Sequence, residues 1–401
     1  MISLEKIRGL ANSTESKIVL LVMDGLGGLP DPANGKTELE AASTPNFDAL
    51  AQKSICGMAD PVSPGITPGS GPGHLGIFGY DPLKYNIGRG ILEALGIDFD
   101  ICKDDLAARG NFCTVDEKGL ITDRRAGRIS TEKCTELCEL LNKMNMPGVQ
   151  IFFRPVREHR FLLVIRHKSL EEKVCETDPQ KLGVPPLKCI AANKESEFTA
   201  KTVNLVIQNA ARILADKHPA NMILLRGFSK LPDIPSIKEI YKLNAAAIAT
   251  YPMYRGLAKL VGMNVLPPPD DIAKAVEVLE QRFKEYDYFF LHFKYTDSAG
   301  EDGDFGRKIK MIETVDAVIP SIMKLNPDVF VVTADHSTPA ILKSHSWHTV
   351  PVLLYSKYCR PDSVKQFSES ACIAGGLGRF PLVEIMTLAM ANALKLSKYG
   401  A

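Results

Sequence analysis

The chain has 401 residues, 45% of them hydrophobic, with a net charge of +1. That length suits two domains, or one large domain with an insertion, and the neutral balance argues against nucleic acid or an anionic membrane as partner. The nine cysteines are scattered, and only Cys134 and Cys138 sit at helical spacing, which suits reduced thiols in a cytoplasmic protein rather than a disulfide frame or a zinc site. No apolar run reaches the length of a membrane span, and the opening MISLEKIRGL does not read as a signal peptide.

In chain order, KIVLLVM (Lys17–Met23) is an unbroken apolar run, the pattern of a strand buried on both faces, and it ends in Asp24-Gly25. A carboxylate just past the end of such a strand sits where open α/β sheets bind ligands; taken alone it serves equally as a turn or helix cap. Thr44-Pro45-Asn46 opens a helical pattern. A Gly/Pro-rich loop follows, TPGSGPGHLGIFGYDP (Thr67–Pro82), displaying Ser70 and His74. Gly88-Arg89-Gly90 then leads into the helical segment ILEALGI.

From about Asp98 to Asp233 short strands and helices alternate with charged residues. RFLLVIR (Arg160–Arg166) and Met222–Leu225 read as strands, and Ser196–Asp216 as an amphipathic helix. LPDIPS (Leu231–Ser236) punctuates the exit. Residues 98–235 are therefore expected to form an inserted substrate-binding or lid domain, with residues 1–97 and 236–401 forming the principal one. Beyond it, Ala245–Tyr251, Tyr286–Phe293, Asp328–Ala334 and Val350–Tyr355 read as strands, and Lys274–Glu285 and part of Asp302–Met323 as helices. The alternation predicts an α/β fold: a mainly parallel sheet with helices on both faces, plus a smaller inserted α+β domain.

Three core strands then end near carboxylates: Asp24, Asp297 (after Lys294) and Asp335. Parallel strands place these on one edge, where their repulsion calls for cations. His336, His345 and Glu301 add imidazole and carboxylate donors suited to transition-metal dications, and Ser70 could join as its alkoxide. A paired metal site would activate a serine hydroxyl and hold a phosphoryl group. Alone, His74 and His292 read as structural histidines.

These residues resemble the alkaline phosphatase superfamily, and within it the archaeal-type cofactor-independent phosphoglycerate mutases. The similarity runs through LEAASTPNFDALA, the PGS and FGYDP segments, GRGILEALGI, GNFCTVDEKGLITDRRAGRI, LLRG, LHFKYTDSAGEDGDF, TADHSTP and GGLGRF. It implies that Ser70 is a nucleophile that becomes phosphoserine. It also implies one metal held by Asp24, Ser70, Asp335 and His336, and a second by Asp297 and His345. The expected cofactors are two divalent ions, manganese first, with zinc, cobalt or magnesium as alternatives.

The implied reaction interconverts 3-phosphoglycerate and 2-phosphoglycerate, making a phosphoglycerate the small-molecule partner. Arg124, Arg125, Arg128, Arg226 and Lys294 are the groups expected to meet its anionic ends, and Asp123 is the candidate acid/base. Nothing in the sequence points to an oligomeric state. The chain departs from the family pattern at Glu301, where a histidine is usual, and at His348, where an aspartate is usual. It also departs at Gly71-Pro72-Gly73, at Gln180 and at Pro267–Pro269. One hypothesis is that His348 compensates for Glu301. The alternatives on the same scaffold are a phosphohydrolase, another phosphotransferase, or a non-catalytic paralogue.

Overall fold

The structure, a computed structural model, describes residues 3–85 and 87–400. In chain order the strands are β1 (Ile18–Met23), β2 (Ile55–Asp60), β3 (Asp105–Val115), β4 (Ile121–Asp123), β5 (Gln150–Arg157), β6 (Arg160–Arg166), β7 (Met222–Ser229), β8 (Ala245–Ile248), β9 (Asn264–Val265), β10 (Tyr288–Phe293), β11 (Val329–Thr333), β12 (Val350–Ser356) and β13 (Gly378–Pro381). The chain divides into two compact units, one made of Met1–Asn86 with Ile234–Ala401, the other of Ile87–Asp233. No helix among the described residues is long and apolar enough to cross a membrane.

The first unit carries an eight-stranded sheet in the order β13-β2-β12-β11-β1-β10-β8-β9. Every residue of β1, β10 and β11 is buried, which is why their sequences are apolar without alternation. β1 pairs in parallel with β10 and β11, so Leu21 lies opposite both Leu291 and Val332. β8 and β9 continue the parallel run, and β12 alone is antiparallel to its neighbours β11 and β2. This register sets Met23 opposite Phe293 and Val22 opposite Thr333 at one edge, and Asp24, Lys294 and Asp335 emerge just beyond it.

The serine stretch differs from its sequence reading. Ser70–Ile77 is a helix, not a loop, capped by Gly69. Its glycines and proline are poor helix formers, so propensity hides it; burial of Gly71, Gly73, His74, Leu75, Gly76 and Ile77 supplies what propensity lacks. A Cβ on Gly73 would lie 2.2 Å from the Asp335 carbonyl oxygen, so only glycine lets this helix approach the end of β11. The expected strand Ala245–Tyr251 also stops early, at Ile248, because Pro252 starts the helix Pro252–Leu260.

The second unit is built on an antiparallel sheet in the order β4-β3-β6-β5, with β7 also paired to β3. Helices Thr131–Leu141 and Glu197–Leu214 pack on one face, against Ala108, Phe112, Phe161, Leu163, Ile223 and Leu225. The opposite face receives the helix Arg89–Gly96 through Ile91 and Ala94, which meet Ala107, Leu162 and Val164. The sequence reading placed this helix in the principal domain, with the boundary at residue 97/98. It belongs instead to the second unit, because its apolar stripe is buried on β3 and β6.

Gly90 tests that packing. A Cβ there would stand 2.3 Å from the Ala107 carbonyl oxygen, and a strand backbone cannot move aside cheaply. Gly90→Ala should lower the unfolding free energy by about 1–3 kcal/mol, the usual cost of overpacking, in a urea titration. An unchanged midpoint would place the helix elsewhere.

Candidate active site

Asp24, Asp297, Asp335 and His336 are all fully buried in the first unit. Asp24 follows β1 and Asp335 follows β11, while Asp297 lies in the first turn of the helix Tyr295–Asp302 after β10. Asp335 Oδ1 accepts from the Gly25 amide at 3.2 Å, and the Thr296 hydroxyl donates to the Asp24 carbonyl at 2.5 Å. The segments carrying Asp24, Asp297 and Asp335 are thus tied to one another by bonds between side chains and main chain.

The tautomers of the histidines follow from their partners. Thr338 Oγ1 has one proton, and it donates to Asp297 Oδ1 at 2.6 Å. The same oxygen therefore accepts from His336 Nδ1–H at 2.9 Å. That leaves His336 Nε2 as a bare lone pair, 3.1 Å from Asp335 Oδ2 and 3.4 Å from Asp24 Oδ1. Those two carboxylate oxygens are buried and accept no hydrogen bond among the described residues. Three acceptor atoms thus converge on one point, more lone pairs than the donors around them satisfy, an arrangement suited to a cation.

His345 repeats the pattern. Its Nδ1–H donates to the Pro68 carbonyl at 2.9 Å, leaving Nε2 bare, 3.6 Å from Asp297 Oδ1 and 3.8 Å from Glu301 Oε1. A histidine that donates one nitrogen to a carbonyl or hydroxyl while presenting the other is the usual arrangement of a metal ligand. The donor atoms of Asp24, Asp335 and His336 lie within 4.8 Å of one another, and so do those of Asp297, His336 and His345. Glu301, 54% exposed, stands at the rim of the second group. Both sets mix carboxylate with neutral imidazole, a donor set that fits manganese or zinc.

Charge behaves as this crowding requires. Burial, then the Asp335 carboxylate, pushes Asp24 up to about 7. Burial also penalises Asp335, but His74, 3.2 Å from Oδ2, helps to hold that carboxyl well below the usual range. Asp297 is likewise lowered against its burial, chiefly by Lys294. The Lys294 ammonium pairs with Asp297 Oδ2 and stands 3.5 Å from Asp24 Oδ1, so it supplies positive charge to both groups.

Ser70 begins its helix, where unpaired main-chain amides favour negative charge. Its Oγ is 3.2 Å from His336 Nε2 and donates to that lone pair. One turn on, His74 Nδ1 is 2.9 Å from the Ser70 carbonyl oxygen and 3.2 Å from Asp335 Oδ2. His292 Nε2 stands 3.0 Å from Asp24 Oδ2. Both histidines therefore act as supports, and what they hold is Ser70, Asp24 and Asp335. Farther back, the buried Lys308 ammonium donates to the carbonyls of Thr338 at 2.8 Å and Gly27 at 3.1 Å, fixing the loop that presents Thr338.

The second unit carries the other sequence candidates. Asp123 accepts from the Arg125 and Gly127 amides at 2.7 and 2.6 Å, which makes it the cap of its own turn. Arg124 forks onto Asp178, with contacts of 3.0 and 2.6 Å, while Arg125 and Arg128 are exposed. Arg226 meets Glu176 at 3.2 Å. Sequence reasoning missed the residues beside it. Arg109 pairs with Arg226 across β3 and β7, and Asn111 pairs with Arg160 across β3 and β6. Strand alternation puts Arg109, Arg160 and Arg226 on one face, that of the helix Arg89–Gly96. Burial, then the neighbouring Arg160, Arg89 and Arg226, lowers Arg109 despite Glu93. Like charges set side by side on a sheet repel one another, and an anionic ligand relieves that repulsion.

His348, the residue offered as compensating for Glu301 either as a ligand or as a ligand's supporting partner, has Nδ1 3.0 Å from Ser346 Oγ and its ring stacked on Trp347. Elemental analysis of manganese-loaded protein should therefore separate two variants. Glu301→Ala should lose part of the second ion, about tenfold in affinity, whereas His348→Ala should keep both. Equal loss in the two variants would restore His348 as a partner.

Residues 51–221 match the family model described as 2,3-bisphosphoglycerate-independent phosphoglycerate mutase. Over 399 residues, 99% of each chain, the sequence is 51% identical to a protein of Thermotoga maritima named "Probable 2,3-bisphosphoglycerate-independent phosphoglycerate mutase". A Thermus thermophilus protein of the same name is 49% identical over 400 residues, 98% of each chain. Among solved structures, the PH0037 protein of Pyrococcus horikoshii superimposes with a TM-score of 0.83 at 30% identity, covering 97% of this chain and 100% of that one. The cofactor-independent phosphoglycerate mutase of Thermoplasma acidophilum gives 0.75 at 30% identity, with coverage of 94% and 100%. With full-length relatives at half identity, the chain belongs to the 2,3-bisphosphoglycerate-independent phosphoglycerate mutase family.

Proposed function

We propose that the protein is a metal-dependent phosphoglycerate mutase that interconverts 3-phosphoglycerate and 2-phosphoglycerate through a phosphoserine on Ser70. The observation that carries this reading is the Ser70 hydroxyl at 3.2 Å from His336 Nε2, beside the buried carboxylates of Asp24 and Asp335. The names of the relatives supply the substrate class.

Asp24, Ser70, Asp335 and His336 would hold one divalent ion, and Asp297, His345 and Glu301 the other. Manganese is proposed, with zinc, cobalt or magnesium as alternatives. When bound, such ions lower the serine hydroxyl's pKa and neutralise charge on the transferred group. The chain's own residues do the rest. The Ser70 helix presents Oγ for in-line attack, and its N-terminal amides favour the negative charge gathered there. Lys294 is assigned to the phosphoryl oxygens.

In the first transfer Ser70 Oγ gives up its proton, its bond to phosphorus forms as the bond to the substrate's 3-oxygen breaks, and that oxygen takes up a proton. The glycerate then turns and presents its 2-hydroxyl. This oxygen gives up its proton, takes the phosphoryl group and regenerates Ser70. The atoms balance without any bisphosphoglycerate. Asp123 remains the proposed proton carrier, a role it would combine with capping its turn. Within the second unit, the face bearing Arg109, Arg160 and Arg226 suits an anionic group, as guanidinium forks do.

An enolase-coupled assay with purified protein, manganese and 3-phosphoglycerate tests the proposal. Turnover should proceed without bisphosphoglycerate, stop on chelation, and fall at least ~10⁴-fold in Ser70→Ala, as expected when a nucleophile is removed. Release of inorganic phosphate in place of 2-phosphoglycerate would replace the mutase with a hydrolase.

A further inference from the structure

Beneath the carboxylate cluster lies an aromatic layer that the transfer chemistry above leaves unused. Tyr254, in the first turn of the helix Pro252–Leu260, is fully buried. Its ring stacks on His292, with centroids 3.8 Å apart and planes at 25°, and leans on His74 at 4.7 Å. These are the two imidazoles that grip Asp24, Asp335 and the Ser70 carbonyl. Lys294 Nζ stands 5.6 Å from the Tyr254 ring centroid, so the ring is held by groups that themselves belong to the centre.

The Tyr254 hydroxyl has Asp24, Asp335 and Ser70 as its polar surroundings. It is fully buried, close to the Asp24 carboxylate and the Ser70 hydroxyl, yet in good hydrogen-bond geometry with neither. A buried phenol whose neighbours do not satisfy it is costly and seldom kept without a reason. Two of its neighbours are spoken for in the working enzyme, since Asp24 and Asp335 belong to the group of donors that fits a cation. The third changes character during the reaction. Free Ser70 is a hydroxyl that donates to His336. Once its proton has left, the seryl oxygen and its phosphoryl group can only accept.

We propose that the Tyr254 hydroxyl donates a hydrogen bond to the Ser70 oxygen as it becomes nucleophile and then phosphoester, with His74 and His292 fixing the ring. This inference rests on the mutase reading. Under it, the protein supplies a neutral donor at the reacting oxygen in addition to its charged groups. Such a donor costs no reorganisation at the moment of transfer, because stacking has already set its direction.

The test compares wild type with Tyr254→Phe, which keeps the stack and removes only the hydroxyl. Three quantities are read: kcat and KM on 3-phosphoglycerate, manganese stoichiometry by paramagnetic resonance titration, and the rate of phosphoserine formation by acid quench. The inference expects kcat and phosphoserine formation to fall about 10²-fold, as for loss of one preorganised donor, with KM and bound manganese unchanged. A second protein carrying 3-fluorotyrosine at position 254 keeps both shape and hydroxyl and should stay within about threefold of wild type. Unchanged kcat in Tyr254→Phe, or a loss of kcat matched by loss of manganese, overturns the inference and leaves the mutase standing. A wild-type protein that leaves 3-phosphoglycerate unchanged overturns both.

Discussion

Asp24, Asp297 and Asp335 are held out of solvent at one edge of a parallel sheet, and their mutual repulsion is the constraint that the surrounding residues answer. Isolated buried carboxylates would protonate or unfold the edge. Here each is met from its own side. Lys294 takes Asp297 and approaches Asp24, His292 takes Asp24, and His74 takes Asp335. Thr338 then sets His336 so that a lone pair, and not a proton, faces the remaining oxygens. That last choice distinguishes a cation site from a satisfied ion-pair network, because it adds an acceptor where a merely stabilising design would place a donor.

The rest of the first unit keeps this edge rigid. Lys308 anchors the carbonyls on both sides of the ligand loops from a fully buried position beside Glu38, 3.8 Å away. The Ser70 helix has little intrinsic stability, yet it must bring Oγ close to Asp335 and His336. Burial of its glycine face and the His74 bridge do what sequence propensity cannot. The same glycines that make the segment look like a loop in sequence are the reason it fits as a helix.

Much of the fold and part of the centre were legible in the sequence. β1, β10 and β11 announce themselves as unbroken apolar runs because both of their faces are covered, and the carboxylates after them follow from parallel topology. Asp24, Asp297, Asp335, His336 and His345 do come together in the structure. Three things were hidden. The helix Arg89–Gly96 has an apolar stripe that fits any sheet, and only the contact with Ala107 and Leu162 shows which one it covers. Arg109, Arg160 and Arg226 are separated in sequence, and strand register alone makes them neighbours. Thr338, His74, His292 and Tyr254 act through polar contacts or stacking that no spacing rule marks, although the Ser70–His74 interval of one helical turn was a usable signal.

The central claim is that this sheet edge is a two-ion centre built around His336. Diffraction from manganese-loaded crystals at the manganese absorption edge tests it most directly. Two anomalous peaks are predicted, one among Asp24, Ser70, Asp335 and His336, the other between Asp297, His345 and Glu301. Peaks confined to other residues, or an edge that stays empty at saturating manganese, would contradict the account.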